Sequence, residues 1–172
     1  MITKPFTETE VRKIEKELSR RTDKLRDLAL FRMGVDTMLR TSDLRSLRVC
    51  DVQEATGEIR ERIEVKMKKT GRMVSCVLDE KTKSALTNWI EFSSKVNSDW
   101  LFTGRKGSEA ITDVQHRRLV KEWCVMAGID GARRSTHSVR KTKASVIFKK
   151  TQNIEAVRRL LGHQSVANTS RY

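Results

Sequence analysis

Several short stretches of this sequence hold side chains suited to handling a phosphate. "LRTSDL" carries Arg40 and Asp43, three residues apart and on one face wherever the chain is helical. "KMKKTGR" gathers Lys66, Lys68 and Lys69, and "THSVRKT" sets His137 three residues before Arg140. "LLGHQS" puts His163 beyond an apolar helix end, where the helix dipole favours a cation. Nine residues later stands Tyr172, the only tyrosine in the chain. Taken singly, each has a plain use: a surface ion pair, a solvated helix face, a helix cap, a charged turn, an exposed phenol. In combination they match the needs of phosphodiester cleavage: a nucleophile, positive charge for the two non-bridging oxygens, and a proton for the departing oxygen. The planar guanidinium forks of Arg40 and Arg140 keep their charge and suit phosphate. Such fixed donors act on charge that develops in the transition state. A phenol attacking phosphorus stores the bond energy as an ester, so strands are rejoined without ATP.

Composition supports a polyanionic partner. The 172 residues include 36 lysines and arginines against 22 acids, a formal net charge of +14. Each phosphate neutralised by such a surface releases condensed counterions, so nucleic acid comes first and an anionic membrane second. The membrane reading is weakened because no apolar run approaches the roughly 20 residues that span a bilayer, and no signal-peptide core opens the chain. A cytoplasmic, DNA-associated protein is expected. Cys50, Cys76 and Cys124 are odd in number and form no Cys-x-x-Cys pair, so buried free thiols are expected rather than a disulfide framework or a zinc site. Neither a carboxylate cluster nor a Cys/His ligand set stands out, and no metal or cofactor is expected.

The elements that must position these residues are also readable. "PFTETEV" is a helix start, with Thr7 as N-cap, Glu10 closing a capping box and Phe6 stapled to Val11; Val11, Ile14 and Leu18 continue one stripe to about Arg21. From Leu28 to Leu39 the chain is apolar around nearly its whole circumference, which predicts a central buried helix, with Arg40 directly after it. The period then becomes two: Ile59, Ile63 and Val65 share one strand face and Val74, Cys76 and Leu78 another, predicting a hairpin with Lys69, Thr70 and Gly71 near its turn. Helical spacing returns around Trp89 and Trp123, either side of the loop "TGRKGSE". The link "DGARRST" leads to a helix from about His137 to Lys149 and a short one from Ile154 to Leu161, with Asn153 as N-cap and Gly162 at C′. Ser165 then caps a last helix carrying Tyr172. The fold class expected is α+β, mainly helical, in one domain.

In order and approximate spacing, these motifs resemble the catalytic domain of the tyrosine recombinases, the phage integrase family. "TMLRTSD" corresponds to that family's Thr-Gly-Leu-Arg-x-x-Glu box, "HSVR" to His-x-Leu-Arg, and "LGHQSVANTSRY" to its closing Leu-Gly-His and tyrosine. Met38 stands where the family prefers glycine, Asp43 where it prefers glutamate and Val139 where it prefers leucine. The resemblance implies a small antiparallel sheet packed on a helical core, and it implies roles. Arg40 and Arg140 clamp the scissile phosphate, His163 adds a hydrogen bond, and Lys69 protonates the leaving 5′ oxygen, with Lys66 and Lys68 close enough to blur that assignment. His137 accepts the tyrosine proton or binds phosphate, Asp43 orients the others, and Tyr172 is the nucleophile. Lys66, Lys68, Arg117, Arg118, Arg133 and Arg134 are candidates for the DNA face. The resemblance further implies double-stranded DNA sites, a homotetramer on DNA in the full-length protein, and accessory DNA-bending proteins. It also implies that 1–172 is a catalytic domain trimmed from a longer protein, without the family's N-terminal core-binding domain or the segment beyond the tyrosine, and so weak in DNA binding by itself. "KTGR" at the hairpin is closer to phage-type integrases than to chromosome-dimer resolvases. Two alternatives are a type IB topoisomerase, which shares the Arg-Lys-Arg-His-Tyr chemistry, and a non-catalytic architectural DNA-binding protein of the same fold.

Overall fold

The computed structural model describes residues 3–104 and 107–161. Helix α1, Glu8–Ser19, starts at the expected capping box: Glu10 N–H donates to Thr7 Oγ1 at 3.2 Å and Thr7 N–H to Glu10 Oε2 at 2.7 Å. A 3-10 turn, Thr22–Lys24, feeds α2, Leu25–Thr37, the central helix against which α1 packs. Phe31 of α2 meets Phe6 and Trp123 edge-on, with ring centroids 6.1 and 5.5 Å away.

Two expectations for this helix need correction. It ends at Thr37, two residues early, because Met38 turns into the left-handed region at φ 55°. Nor is its surface purely apolar: Asp27, Arg32 and Asp36 are buried in it. They are tolerated because each is paired. Asp27 accepts from Arg26 and from Trp123 Nε1, Arg32 bridges Glu15 and Asp79, and Asp36 accepts from Lys143 and from the Asp79 N–H.

After Met38 the chain forms two four-residue helices, α3 (Thr41–Leu44) and α4 (Val49–Val52). Strands β1 (Arg62–Lys66) and β2 (Met73–Val77) pair antiparallel, with Ile63 opposite Cys76 and Val65 opposite Val74. Ile59 lies outside the strand, making only an isolated bridge with Gln53. The hairpin closes where Met67 N–H donates to the Arg72 carbonyl at 2.9 Å and Gly71 N–H to the Met67 carbonyl at 2.8 Å; Gly71, at φ 68°, takes the left-handed position that lacks a steric penalty only for glycine.

Four longer helices complete the described fold. They are α5 (Glu80–Ser93), α6 (Asp113–Met126), α7 (Thr136–Thr151) and α8 (Ile154–Leu161), capped by Asp79, Thr112, Ser135 and Asn153. Both α5 and α7 pack on α2. The α2–α7 approach depends on Gly34, where an added Cβ would come within 2.8 Å of Val139 Cγ1. The result is the expected mainly helical α+β domain with one hairpin. Of the cysteines, Cys76 and Cys124 are buried, and desolvation pushes the Cys76 thiol up to about 11. Cys50 is exposed, contrary to expectation, because Val49 and Val52 take the core-facing positions of α4. The expected Gly162 and Ser165 caps and the last helix lie outside the described residues.

Candidate active site

Four separate pieces of sequence meet at one cleft of about 280 Å³, lined by Arg40, Lys69, His137 and Arg140, with Asp113 among its walls. Arg40 reaches it because the left-handed turn at Met38 redirects the chain, leaving Arg40 extended at the head of α3. Its side chain is half-buried, and Nη1 rests 3.2 Å from the Met67 sulfur, a neutral partner. Among the described residues Arg40 makes no ion pair.

Asp43 is fully buried one turn along. Instead of pairing with Arg40, its Oδ1 accepts the backbone N–H of Lys68 at 3.0 Å, tying the hairpin turn to the Arg40 segment. Its Oδ2 is buried with no hydrogen-bond partner among the described residues. That tie helps explain why Lys69, exposed and on a turn, stands at the cleft.

Arg140 is held tightly. It is 4 % exposed, and its guanidinium donates to two backbone carbonyls, those of Met38 and, at 2.7 Å, Leu161. These acceptors orient the fork without neutralising it. His137, one turn earlier on α7, is exposed at the cleft rim. Desolvation by its neighbours is nevertheless the largest influence lowering its pKa, aided by the positive charges of Arg140, Lys141 and Arg40 and opposed by Asp113. The shift favours a neutral imidazole, able to accept a proton.

The remaining candidates are dispersed. Lys66 and Lys68 are exposed on the hairpin, Arg118 is exposed within α6, and Arg133 is exposed just before α7. Arg117 pairs with Asp113 at 2.9 Å. Arg134, proposed from sequence for the DNA face, is engaged within the fold: it donates to the Lys4 and Pro5 carbonyls, pairs with Glu10 at 2.6 Å and lies over the Phe6 ring. His163 and Tyr172 lie outside the described residues.

Sequence reasoning missed Asp113 and the sulfur of Met67. "TDVQ" does advertise a helix N-terminus at Thr112, with Gln115 closing the box, but no local signal places that terminus beside His137. Among the described residues, no group of three His, Cys, Asp or Glu is placed to hold a metal ion, and no helix is long and apolar enough to cross a membrane.

Comparison with known proteins bears on the family and the fold. The profile of the phage integrase family matches residues 4–172. The probable integrase/recombinase YoeC of Bacillus subtilis is 26% identical over 147 residues, covering 86% of this chain and 76% of its own length. Tyrosine recombinase XerC of Neisseria meningitidis is 30% identical over 155 residues, covering 86% of this chain and 47% of its own. In crystals of the XerH site-specific recombinase bound to difH substrate, a pre-cleavage complex, the fold matches with a TM-score of 0.80 at 21% identity, over 99% of this chain and 50% of that one. This chain thus spans about half the length of XerC and XerH.

Proposed function

The chain belongs to the phage integrase family, and from that premise we propose that it cuts and rejoins DNA strands as the catalytic part of a site-specific tyrosine recombinase. The observation that carries the proposal is the convergence of Arg40, Lys69 and the His137–Arg140 pair, three stretches distant in sequence, on one cleft.

The reaction follows from what each group offers. The Tyr172 hydroxyl attacks the scissile phosphorus and its proton passes to His137, whose depressed pKa leaves the imidazole ready to receive it. Arg40 and Arg140 face the two non-bridging oxygens as charge builds on them, joined by a hydrogen bond from His163. The bond from phosphorus to the 5′ oxygen breaks as Lys69 donates a proton to that oxygen. The product is a 3′-phosphotyrosyl ester and a free 5′ hydroxyl. A 5′ hydroxyl from a second duplex then attacks the ester, the protons retrace their path, and Tyr172 is released. Asp43 takes no part in the bond changes; it holds the hairpin turn against the Arg40 segment.

The partner proposed is double-stranded DNA, in keeping with the +14 net charge and with the DNA-bound state of XerH. Strand exchange needs four active sites on two duplexes, so a homotetramer of the full-length protein on its recombination sites is proposed, with DNA-bending proteins as accessories.

The test is to incubate the protein, in chelator, with nicked duplexes taken from the DNA flanking its own coding region, and to resolve the products on denaturing gels. A protein–DNA adduct that vanishes in Tyr172→Phe is expected. DNA binding without any adduct would favour an architectural role. Relaxation of supercoiled DNA without exchange between duplexes would favour topoisomerase activity.

A further inference from the structure

Met38 is unusual in three ways at once. It is a non-glycine residue in the left-handed region, at φ 55° and ψ 24°, a conformation that disfavours side chains with a Cβ. It is 4 % exposed, yet it belongs to a small apolar cluster with Ala144, Val157 and Leu161 that is distinct from the main core. Its carbonyl also accepts from Arg140, whose other terminal nitrogen donates to Leu161. Glycine would take this turn without strain but would leave α8 without the side chain it packs on.

We propose that Met38 is a positioning residue that couples the second arginine to α8. Its carbonyl helps fix the Arg140 fork, and its thioether chain seats Val157 and Leu161, so that the arginine and the helix leading into Gly162 and His163 are held as one unit. The strain at the turn is retained because glycine, which would supply the same carbonyl, could not supply the apolar contact. The effect on catalysis rests on the function proposed above; the mechanical coupling does not.

The experiment compares Met38→Gly and Met38→Leu with the unaltered full chain by hydrogen exchange and by single-turnover cleavage of nicked DNA at saturating protein. Met38→Gly removes the strain and is therefore not expected to prevent folding. In that variant, amides of Ile154–Leu161 should exchange at least tenfold faster while those of α1 and α5 are unchanged; the cleavage rate constant should fall about tenfold with DNA affinity unaltered. Met38→Leu, which keeps the apolar contact, should restore both within about twofold. Unchanged exchange in α8, uniformly faster exchange throughout the chain, or loosened α8 with an unaltered cleavage rate would each overturn the proposal. If the unaltered protein forms no adduct at all, the recombinase reading fails, and the exchange measurement alone decides the coupling.

Discussion

Two arginines, eight residues apart, occupy opposite electrostatic settings. Arg32, in the middle of α2, is surrounded by its counter-charges: desolvation works against its cation, and hydrogen bonds with Asp79 and Glu15 more than offset that, leaving its pKa above the ordinary value. Arg40, just past the end of the same helix, touches a thioether and faces a cleft shared with Lys69, His137 and Arg140. The first charge is satisfied within the fold and serves to join α1, α2 and α5. The second is positioned without an anionic partner among the described residues, an arrangement that an anion from outside would complete. Scaffold and site can thus be told apart by whether the protein supplies the missing charge.

That contrast can be sharpened or broken by substitution. The largest effect is expected in the cleft: Lys69→Ala should slow cleavage by roughly 10²- to 10⁴-fold, the usual range for a lost general acid. A substrate whose bridging 5′ oxygen is replaced by sulfur, a leaving group that needs no proton, should recover most of the loss. A Lys69→Ala defect equal on both substrates would remove lysine from the acid role.

In the scaffold, Arg32→Ala should lower unfolding stability by about 2 to 3 kcal/mol, toward the low side for a broken buried pair because Asp79 is half-exposed, while the folded fraction cleaves at the normal rate. Denaturant unfolding and single-turnover kinetics measure the two quantities. A cleavage defect with unchanged stability would erase the distinction between the regions.

A smaller effect concerns His116, buried on α6 with neither ring nitrogen hydrogen-bonded among the described residues. Burial lowers its pKa from 6.5 to about 4. The unfolded chain therefore takes up a proton between those values while the folded one does not, so stability must fall as the pH drops below 6.5. At about 1.4 kcal/mol per pH unit, this group alone should remove about 2 kcal/mol between pH 7 and pH 5. His116→Leu should flatten that part of the stability profile; an unchanged slope would assign it to other groups.

How far the sequence reached depended on the range of the interaction. Thr7 with Glu10, the hairpin around Gly71 and the cap at Asn153 were legible because each is decided within a few residues. The helices Thr41–Leu44 and Val49–Val52 were not, since four residues carry no period to detect. The left-handed Met38 was foreshadowed only as a departure from a glycine; nothing local says that its carbonyl meets Arg140 or that its side chain seats α8. With Arg134 the missing information was again long-range. Its charge suggested DNA, whereas its contacts with Glu10 and Phe6 depend on bringing the start of α7 against the start of α1. His163 and Tyr172 rest on the sequence motif and on the family.

The central claim is that the cleft exists to hold the charge of a scissile phosphate. Its most direct test is to measure single-turnover cleavage by the wild type and by Arg40→Ala on nicked DNA, once with the natural phosphate and once with a methylphosphonate that lacks one anionic oxygen. The account predicts that Arg40→Ala loses roughly 10³-fold on the phosphate, as when a preorganised oxyanion donor is removed, and far less on the neutral linkage. An equal loss on both substrates would mean that Arg40 serves something other than phosphate charge, contradicting the account.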